Sequence, residues 1–305
     1  MKNNKLIMVA ALLGTVLAGC QKEEENKQTP ETVTGGWTLT VNATKGADTR
    51  AMSLSGNDLD AYWTEGEQVA VYLGGTKLGT LTAGSIGTDA HEAVLSGELE
   101  SVSGVTMGSH LMLLFPDKAD DQWTYLDQDG SAPSANGSMA TGFDYASADL
   151  EIASVDPENR VISASGSVSF VNQQGIYRLG FKANNANFAV KFFNLVSSQH
   201  QLVRTRSFNG NAWESSFGSL TLISAATPQD NLYYMAVRND NNSVADSYSF
   251  LAVRAADNAL MEGTKNIPAA ALAAPKFLSA TVNMSPKVFA PAAPETTISV
   301  ATDVL

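Results

Sequence analysis

The stretch WTLTVNA, residues 37–43, alternates apolar and polar side chains. Trp37, Leu39 and Val41 fall on one face of an extended chain, and the intervening residues fall on the other. This period of two is typical of a β-strand that is buried on one side. Similar runs recur between turn residues, and no segment carries the apolar period of a long helix. Further strands are predicted at 68–73, 77–81, 93–95, 111–115, 161–170, 177–183, 189–195, 218–223, 232–237, 248–255 and 277–284.

Many short strands without interleaved helices predict an all-β protein built from antiparallel β-sandwiches. The length of 305 residues favours two such domains in tandem, because ~150 residues is a common domain size. We place them at 37–165 and 166–287, with a boundary uncertain by about ten residues, followed by a C-terminal tail at 288–305. Residues 267–274 are predicted to make a helical turn, and residues 117–149 a loop with a surface excursion.

The N-terminus has the pattern of an export signal. Lys2 and Lys5 precede an apolar run over residues 6–18, which is too short to span ~30 Å of hydrocarbon as a helix. The run leads into Leu-Ala-Gly-Cys, which resembles the lipobox of bacterial lipoproteins, so residues 1–19 are predicted to be a signal peptide and Cys20 the lipid acceptor. The alternative is an ordinary signal peptide with a chance cysteine. A lipid on Cys20 would hold the chain on a membrane through a flexible tether, residues 20–36.

The composition excludes several classes of function. The net charge of −12 would repel a phosphate backbone, so we expect no nucleic acid as a partner. With one cysteine and three scattered histidines, the chain offers no multi-thiolate metal site, and we expect neither a metal nor another cofactor. The sequence also contains none of the common nucleophile, phosphate-binding or metalloprotease motifs. It therefore predicts a protein that is not an enzyme.

Three weaker patterns are candidate ligand-binding or catalytic sites. Residues 127–130 begin like a calcium loop but lack its third acid and closing glutamate. The aspartates within 117–121 would act as an acid pair only in a cleft, and an exposed turn is the alternative. Of Trp63, Trp123 and Trp213, which are far apart in sequence, Trp123 is the best candidate for stacking on a sugar, with packing inside a loop as the alternative.

Several segments, taken in order, resemble the fimbrillin-like proteins of the Bacteroidota. They are Thr49-Arg50, WTEGEQVAVY (63–72), LLFP (113–116), GIYRLGF (175–181) and PKFLSATVNM (275–284). The acidic residues after Cys20 resemble the surface-export signal of lipoproteins from the same group. The resemblance implies two tandem β-sandwich domains of transthyretin-like, Greek-key type and export to the outer membrane as a surface lipoprotein. In polymerising members it implies assembly with other pilin subunits into an adhesive pilus.

The resemblance also implies a mechanism of assembly. In polymerising relatives an arginine-specific protease removes an N-terminal strand after export, and Arg50 matches the position of the cut, so that Ala51 would become the new N-terminus. The displaced strand would carry Trp37, Leu39 and Val41 away with it. Its loss would leave an apolar groove and an open sheet edge that invites another strand. The alternative for Arg50 is an exposed arginine in a hairpin.

The C-terminal tail contains a candidate donor strand. Residues 297–305 alternate, with Ile298, Val300 and Val304 on one face. Burial of three such side chains at ~1.5–3 kcal/mol each would link subunits without a disulfide. The alternative is a strand that folds back onto its own C-terminal domain.

Three functions compete at this point. The first is a fimbrillin-like pilus subunit or accessory component that serves adhesion. The second is a non-polymerising outer-membrane lipoprotein that binds glycans or host proteins, which needs neither a cut at Arg50 nor a free C-terminal strand. The third is an enzyme such as a glycan hydrolase, against which the lack of any catalytic cluster stands. The sequence favours the first.

Overall fold

A computed structural model describes a large part of the chain. The described residues are 36–45, 53–55, 58–60, 62–132, 142–224, 229–240, 243–272 and 277–288. They form 21 strands, β1 to β21, together with one short α-helix, α1 (Ala269–Leu272), which lies where the helical turn is predicted. The prediction of an all-β protein is confirmed.

The N-terminal half forms one eight-stranded sheet and a small hairpin. The sheet contains β1 (Trp37–Lys45), β4 (Gln68–Leu73), β5 (Thr76–Ile86), β6 (Glu92–Leu99), β7 (His110–Phe115), β9 (Ala146–Asp156), β10 (Val161–Ala164) and β11 (Val168–Asn172). The hairpin contains β2 (Ser53–Ser55) and β3 (Asp58–Asp60). Around the sheet the order is β1, β6, β5, β4, β7 and β9, and then β10 and β11, which both pair with β1 again. The sheet therefore closes into a barrel, and β1 is the strand that closes it.

The C-terminal half forms a second sheet. Its strands are β12 (Gly175–Ala183), β13 (Ala186–Asn187), β14 (Val190–Ser197), β17 (Leu220–Ile223), β18 (Leu232–Val237), β19 (Asp246–Arg254), β20 (Leu260–Ile267) and β21 (Phe277–Pro286). The order is β13, β12, β21, β20, β19, β14 and β17, with β18 paired to β12. The change of sheet at residues 173–174 lies within the margin of the boundary predicted near 165, and the division into two domains stays a prediction.

A three-stranded sheet joins the two halves. It consists of β8 (Gln122–Thr124), β15 (Val203–Phe208) and β16 (Trp213–Phe217), with β15 in the middle. One apolar core fills the barrel, and a second core continues from the C-terminal sheet across this junction. That second core combines Tyr72, Trp123 and Tyr145 of the N-terminal half with Phe181 and Tyr233 of the C-terminal half. The junction is therefore packed with aromatic side chains.

The structure corrects the sequence-based expectations in several places. The expected antiparallel pairing holds for most strands, but the first sheet closes into a barrel and the pairs β1–β10, β1–β11 and β12–β21 are parallel. The strand predicted over 161–170 is two strands, β10 and β11, that follow one another along β1 and β9. The loop expected over 117–149 contains β8 and the start of β9, and Trp123 and Tyr145 within it are buried.

Candidate functional site

The predicted site residues divide into two groups. Trp37, Leu39 and Val41 lie in β1, whereas Cys20, Arg50, Ala51, Ile298, Val300 and Val304 lie outside the described residues. The candidate site is therefore built around β1. We call the space that β1 fills, between β6 on one side and β10 with β11 on the other, the β1 slot.

β1 is hydrogen-bonded along both of its edges. Eight of its residues, from Trp37 to Thr44, are in antiparallel register with β6. On the opposite edge, residues 38–40 are in parallel register with β10, and residues 43–45 with β11. Removal of β1 would expose backbone N–H and C=O groups on three strands at once, and unpaired edges of this kind recruit another strand.

The inner face of β1 is apolar along most of its length. Leu39, Val41 and Ala43 are at most 2% exposed, and they pack in the barrel core. Trp37 packs against the same core but is only half-buried. Thr38, Thr40 and Asn42 on the outer face are exposed, so the strand is amphipathic as its alternation predicts.

The inner face of β1 ends in a buried lysine. Lys45 is 2% exposed, and its Nζ lies within hydrogen-bonding distance of three acceptors. These are the carbonyl oxygen of Tyr62 at 3.0 Å, Oε2 of Glu67 at 3.0 Å and Oδ2 of Asp144 at 3.3 Å. An ammonium group has three N–H donors, so the geometry provides one acceptor for each.

Two aromatic rings complete the surroundings of this ammonium group. Nζ of Lys45 lies 4.4 Å from the ring centroid of Trp63 and 3.9 Å from that of Phe115, and both rings attract a cation through their π-electrons. Trp63 is held by edge-to-face contacts with Phe115 at 5.5 Å and with Phe170 at 5.3 Å. We call the five groups around the ammonium the lysine cage: the Tyr62 carbonyl, Trp63, Glu67, Phe115 and Asp144.

A tight turn before β4 places part of the cage. Gly66 has a φ of +88°, a left-handed conformation that favours glycine. Oε2 of Glu67 accepts a hydrogen bond from the backbone N–H of Thr64 at 3.1 Å, which orients the carboxylate toward Lys45. The segment Trp-Thr-Glu-Gly-Glu, part of the motif quoted above, thus supplies a ring, a turn and a carboxylate to one site.

The electrostatics of the cage depend on Lys45. The side chain of Asp144 is 5% exposed and that of Glu67 is 26% exposed. Burial raises the pKa of the Asp144 carboxyl above its ordinary value, and Lys45 opposes this rise. Burial likewise raises the pKa of Glu67, again against the influence of Lys45. Within the described structure Oδ1 of Asp144 has no hydrogen-bond partner, so removal of Lys45 would leave a poorly solvated carboxylate.

Lys45 is a functional candidate that the sequence analysis did not single out. A lysine near the end of a strand is commonly solvated, so residue type alone indicates an exposed position. The signal that identifies it is its spacing, because Lys45 continues the series of every second residue, Leu39, Val41 and Ala43, that faces the core.

The structure brings Trp123 and Trp213 together but does not leave Trp123 open to a sugar. Their ring centroids lie 4.5 Å apart with the rings tilted by 38°, and Trp123 stacks on Tyr145 at 5.1 Å. Trp123 is 2% exposed. Arg206 covers Trp213, with Cζ 4.0 Å from the ring centroid. These rings serve to pack the junction, which agrees with the packing alternative for Trp123.

Two further polar residues, Asp117 and His110, take part in other contacts. Asp117 accepts hydrogen bonds from Lys77 and Thr80, each at 2.5 Å. His110 pairs with Asp149 at 2.7 Å on the exposed surface of β7 and β9. Among the described residues, no three His, Cys, Asp or Glu side chains cluster in a way that would hold a metal. The described part of the chain also contains no helix with the length and hydrophobicity that a membrane crossing requires.

Comparison with known proteins gives likenesses of structure. No family model matches the sequence, and no curated protein matches it. A putative cell adhesion protein from Bacteroides uniformis is 12% identical over 82% of this chain and 96% of that chain, with a TM-score of 0.42. The tip fimbrial protein Mfa3 from Porphyromonas gingivalis is 14% identical over 77% and 81% of the two chains, with a TM-score of 0.34.

A further solved structure is that of a longer chain, of which this chain covers a part. This chain matches a fimbrial protein from Bacteroides ovatus at 12% identity and a TM-score of 0.35, over 81% of its own length and 48% of the other. The three proteins are named as adhesion or fimbrial proteins.

Proposed function

We propose that this protein is a cell-surface subunit or accessory component of a fimbrillin-like pilus that serves adhesion. In this proposal Cys20 is lipidated at the outer membrane, β1 is removed after a cut between Arg50 and Ala51, and a strand of another subunit takes its place. The observation that carries the proposal is the position of β1, which closes the barrel and is paired along both edges.

The position of Arg50 supports the removal of β1. The strand ends at Lys45, and Arg50 follows it closely in sequence, before the rest of the barrel begins at β4. A cut there would leave β1 attached by non-covalent contacts alone. The apolar side chains that it buries contribute ~1.5–3 kcal/mol each, and an incoming strand with a similar inner face recovers that contribution.

The C-terminal tail supports a second link, in which this chain donates a strand to a different subunit. β21 ends at Pro286, and Val288 beyond it is 83% exposed. The alternating residues Ile298, Val300 and Val304 follow after a proline-containing stretch, and we propose that they form a strand donated to another subunit.

Two variants of the full chain in its own bacterium test this function. Sheared surface material from wild-type cells is expected to contain this protein in species of high mass on immunoblots. Arg50→Ala and deletion of 296–305 are each expected to abolish those species, whereas Arg204→Ala, at an exposed arginine of β15, leaves them unchanged. Unchanged species of high mass in Arg50→Ala would contradict removal of β1, and in the tail deletion they would contradict strand donation.

A groove favours the second candidate function, a surface lipoprotein that binds glycans. The groove has a volume of about 910 Å³ and lies on β19, β20 and β21. Ser249, Thr264 and Asn283 line it with hydroxyl and amide groups, and Glu262 supplies a carboxylate. Such groups hydrogen-bond to sugar hydroxyls. Binding on a glycan array that is lost in Asn283→Ala would support this function, and an array without binding would exclude it for the glycans displayed.

A further inference from the structure

We propose that the lysine cage selects the strand that occupies the β1 slot. After β1 leaves, the slot takes a strand of a different protein that carries a lysine at the place of Lys45, and it rejects the C-terminal tail of a second copy of this chain. This inference rests on the proposed function, because it assumes that β1 is exchanged for another strand.

The cage remains in place when β1 leaves. Tyr62, Trp63, Glu67, Phe115 and Asp144 all follow Arg50 in the sequence, so a cut at that arginine leaves every cage group in the barrel. The vacated slot would then present three oxygen acceptors and two ring faces at one end. This arrangement is a binding pocket for an ammonium group.

The chemistry of the cage favours lysine over other residues. The acceptors surround one point, which suits a compact ammonium with three donors, whereas a guanidinium is planar and spreads five donors over a wider fork. An apolar side chain at this place would leave the buried Asp144 and the half-buried Glu67 without a cation, which is strongly unfavourable. The cage therefore distinguishes strands that are otherwise similar in their apolar residues.

The C-terminal tail lacks the residue that the cage requires. The last basic residue of the chain is Lys287, and residues 289–305 contain neither lysine nor arginine. In the register that puts Ile298 and Val300 at the positions of Leu39 and Val41, Val304 lies at the position of Lys45. A valine would then face two carboxylates. The fitting occupant follows the pattern of β1, with two apolar residues, a small residue and a lysine at alternate positions.

A competition during refolding tests this selection. The full chain, with a site for a sequence-specific protease built into residues 46–52, is cut, unfolded and freed of its N-terminal fragment. It is then refolded with an equimolar mixture of four peptides, isotope-labelled so that each has a distinct mass, and native mass spectrometry identifies which peptide is retained. The peptides are residues 36–46, the same peptide with Lys45→Met, the same peptide with Thr44→Lys and Lys45→Thr, and residues 295–305.

The swapped peptide is the matched control, because it has the composition and charge of the β1 peptide but carries its ammonium on the outer face. We expect the β1 peptide to exceed each of the other three by at least about tenfold. Equal retention of the swapped or methionine peptide overturns the selection by the cage, and so does retention of the tail peptide at the level of the β1 peptide. Failure to retain even the β1 peptide contradicts strand exchange, and with it the proposed function.

A second variant assigns the preference to the cage. In the cut chain with Glu67→Gln and Asp144→Asn the acceptors are uncharged, and we expect the advantage of the β1 peptide over the methionine peptide to disappear. Circular dichroism of the uncut variant verifies that it folds. An unchanged preference in a folded variant would overturn the role of the two carboxylates.

Discussion

The first and the last described strands of the core, β1 and β21, occupy similar places in their sheets but differ in the contacts at their C-terminal ends. β1 lies between an antiparallel neighbour, β6, and parallel neighbours, β10 and β11, and β21 lies between an antiparallel neighbour, β20, and a parallel neighbour, β12. Both bury alternate apolar side chains, such as Val41 in β1 and Val282 in β21. They differ at their C-terminal ends, where Lys45 is enclosed in a charged cage and Lys287, just after β21, is one-third exposed beside Glu262.

This difference distinguishes the apolar packing that both strands share from the choice of a particular strand, which only the lysine cage at β1 makes. The apolar faces of the two strands contribute stability in the same way, and many sequences with alternating apolar residues satisfy them. The cage adds a requirement for one particular residue at one place. A strand that is exchanged between chains benefits from such a requirement, whereas β21 stays covalently joined to its neighbours and needs none.

The largest expected effect is that of Lys45→Met. The methionine side chain is similar in length to lysine but is uncharged, so Glu67 and Asp144 lose their cation. We therefore expect a loss of about 3–5 kcal/mol in the free energy of unfolding. Urea denaturation followed by circular dichroism measures it. The triple variant with Glu67→Gln and Asp144→Asn is expected to recover most of the loss. A loss below about 1 kcal/mol would show that the ion pairs of Lys45 contribute no more than ordinary surface ion pairs, which would contradict this prediction.

The next effect compares the apolar faces directly. Val41→Ala and Val282→Ala each remove two methyl groups from side chains that are at most 2% exposed. We expect both to lower the free energy of unfolding by about 2–3 kcal/mol, from lost burial and the cavity left behind. The same urea titrations measure both. A much larger loss for one strand would show that the two apolar faces are not equivalent.

The dependence on pH follows from the two carboxyls of the cage. In Lys45→Met, Asp144 and Glu67 lose the cation that lowers their pKa values, so these values lie further above those of the unfolded chain. The folded state then binds protons more tightly, and its stability rises as the pH falls through the raised pKa values. We expect the deficit against the wild type to shrink by about 1–2 kcal/mol between pH 7 and pH 5. Equal deficits at the two values would contradict this origin.

The smallest effect is expected at the end of β21. The side chains of Lys287 and Glu262 are 33% and 43% exposed, so water screens their ion pair. Lys287→Met is therefore expected to change the free energy of unfolding by less than about 1 kcal/mol. This variant is the control for Lys45→Met, and a loss as large as that of Lys45→Met would remove the distinction between the two strand ends.

Local pattern was enough to predict many of the strands. The runs at 68–73 and 232–237 coincide with β4 and β18, because apolar and β-branched residues dominate them. β9 was not predicted, since alanine, serine and acidic residues make up most of its sequence. β15 was not predicted either. It contains two arginines, and Arg206 is buried against Trp213, which belongs to the neighbouring strand β16.

The candidate site was only partly predictable for a related reason. The amphipathic pattern of β1 is local, and it correctly assigns Leu39 and Val41 to the core. The cage depends on pairings between distant segments, because Asp144 lies 99 residues from Lys45. Parallel pairing of β1 with β10 and β11 is likewise set by tertiary packing, which a single sequence does not reveal.

N-terminal sequencing of this protein in assembled surface material tests the central claim most directly. The account predicts a chain that begins at Ala51, because β1 has been cut away and its slot refilled by another strand. A blocked N-terminus at Cys20, with residues 37–45 still attached in the assembled material, would contradict it.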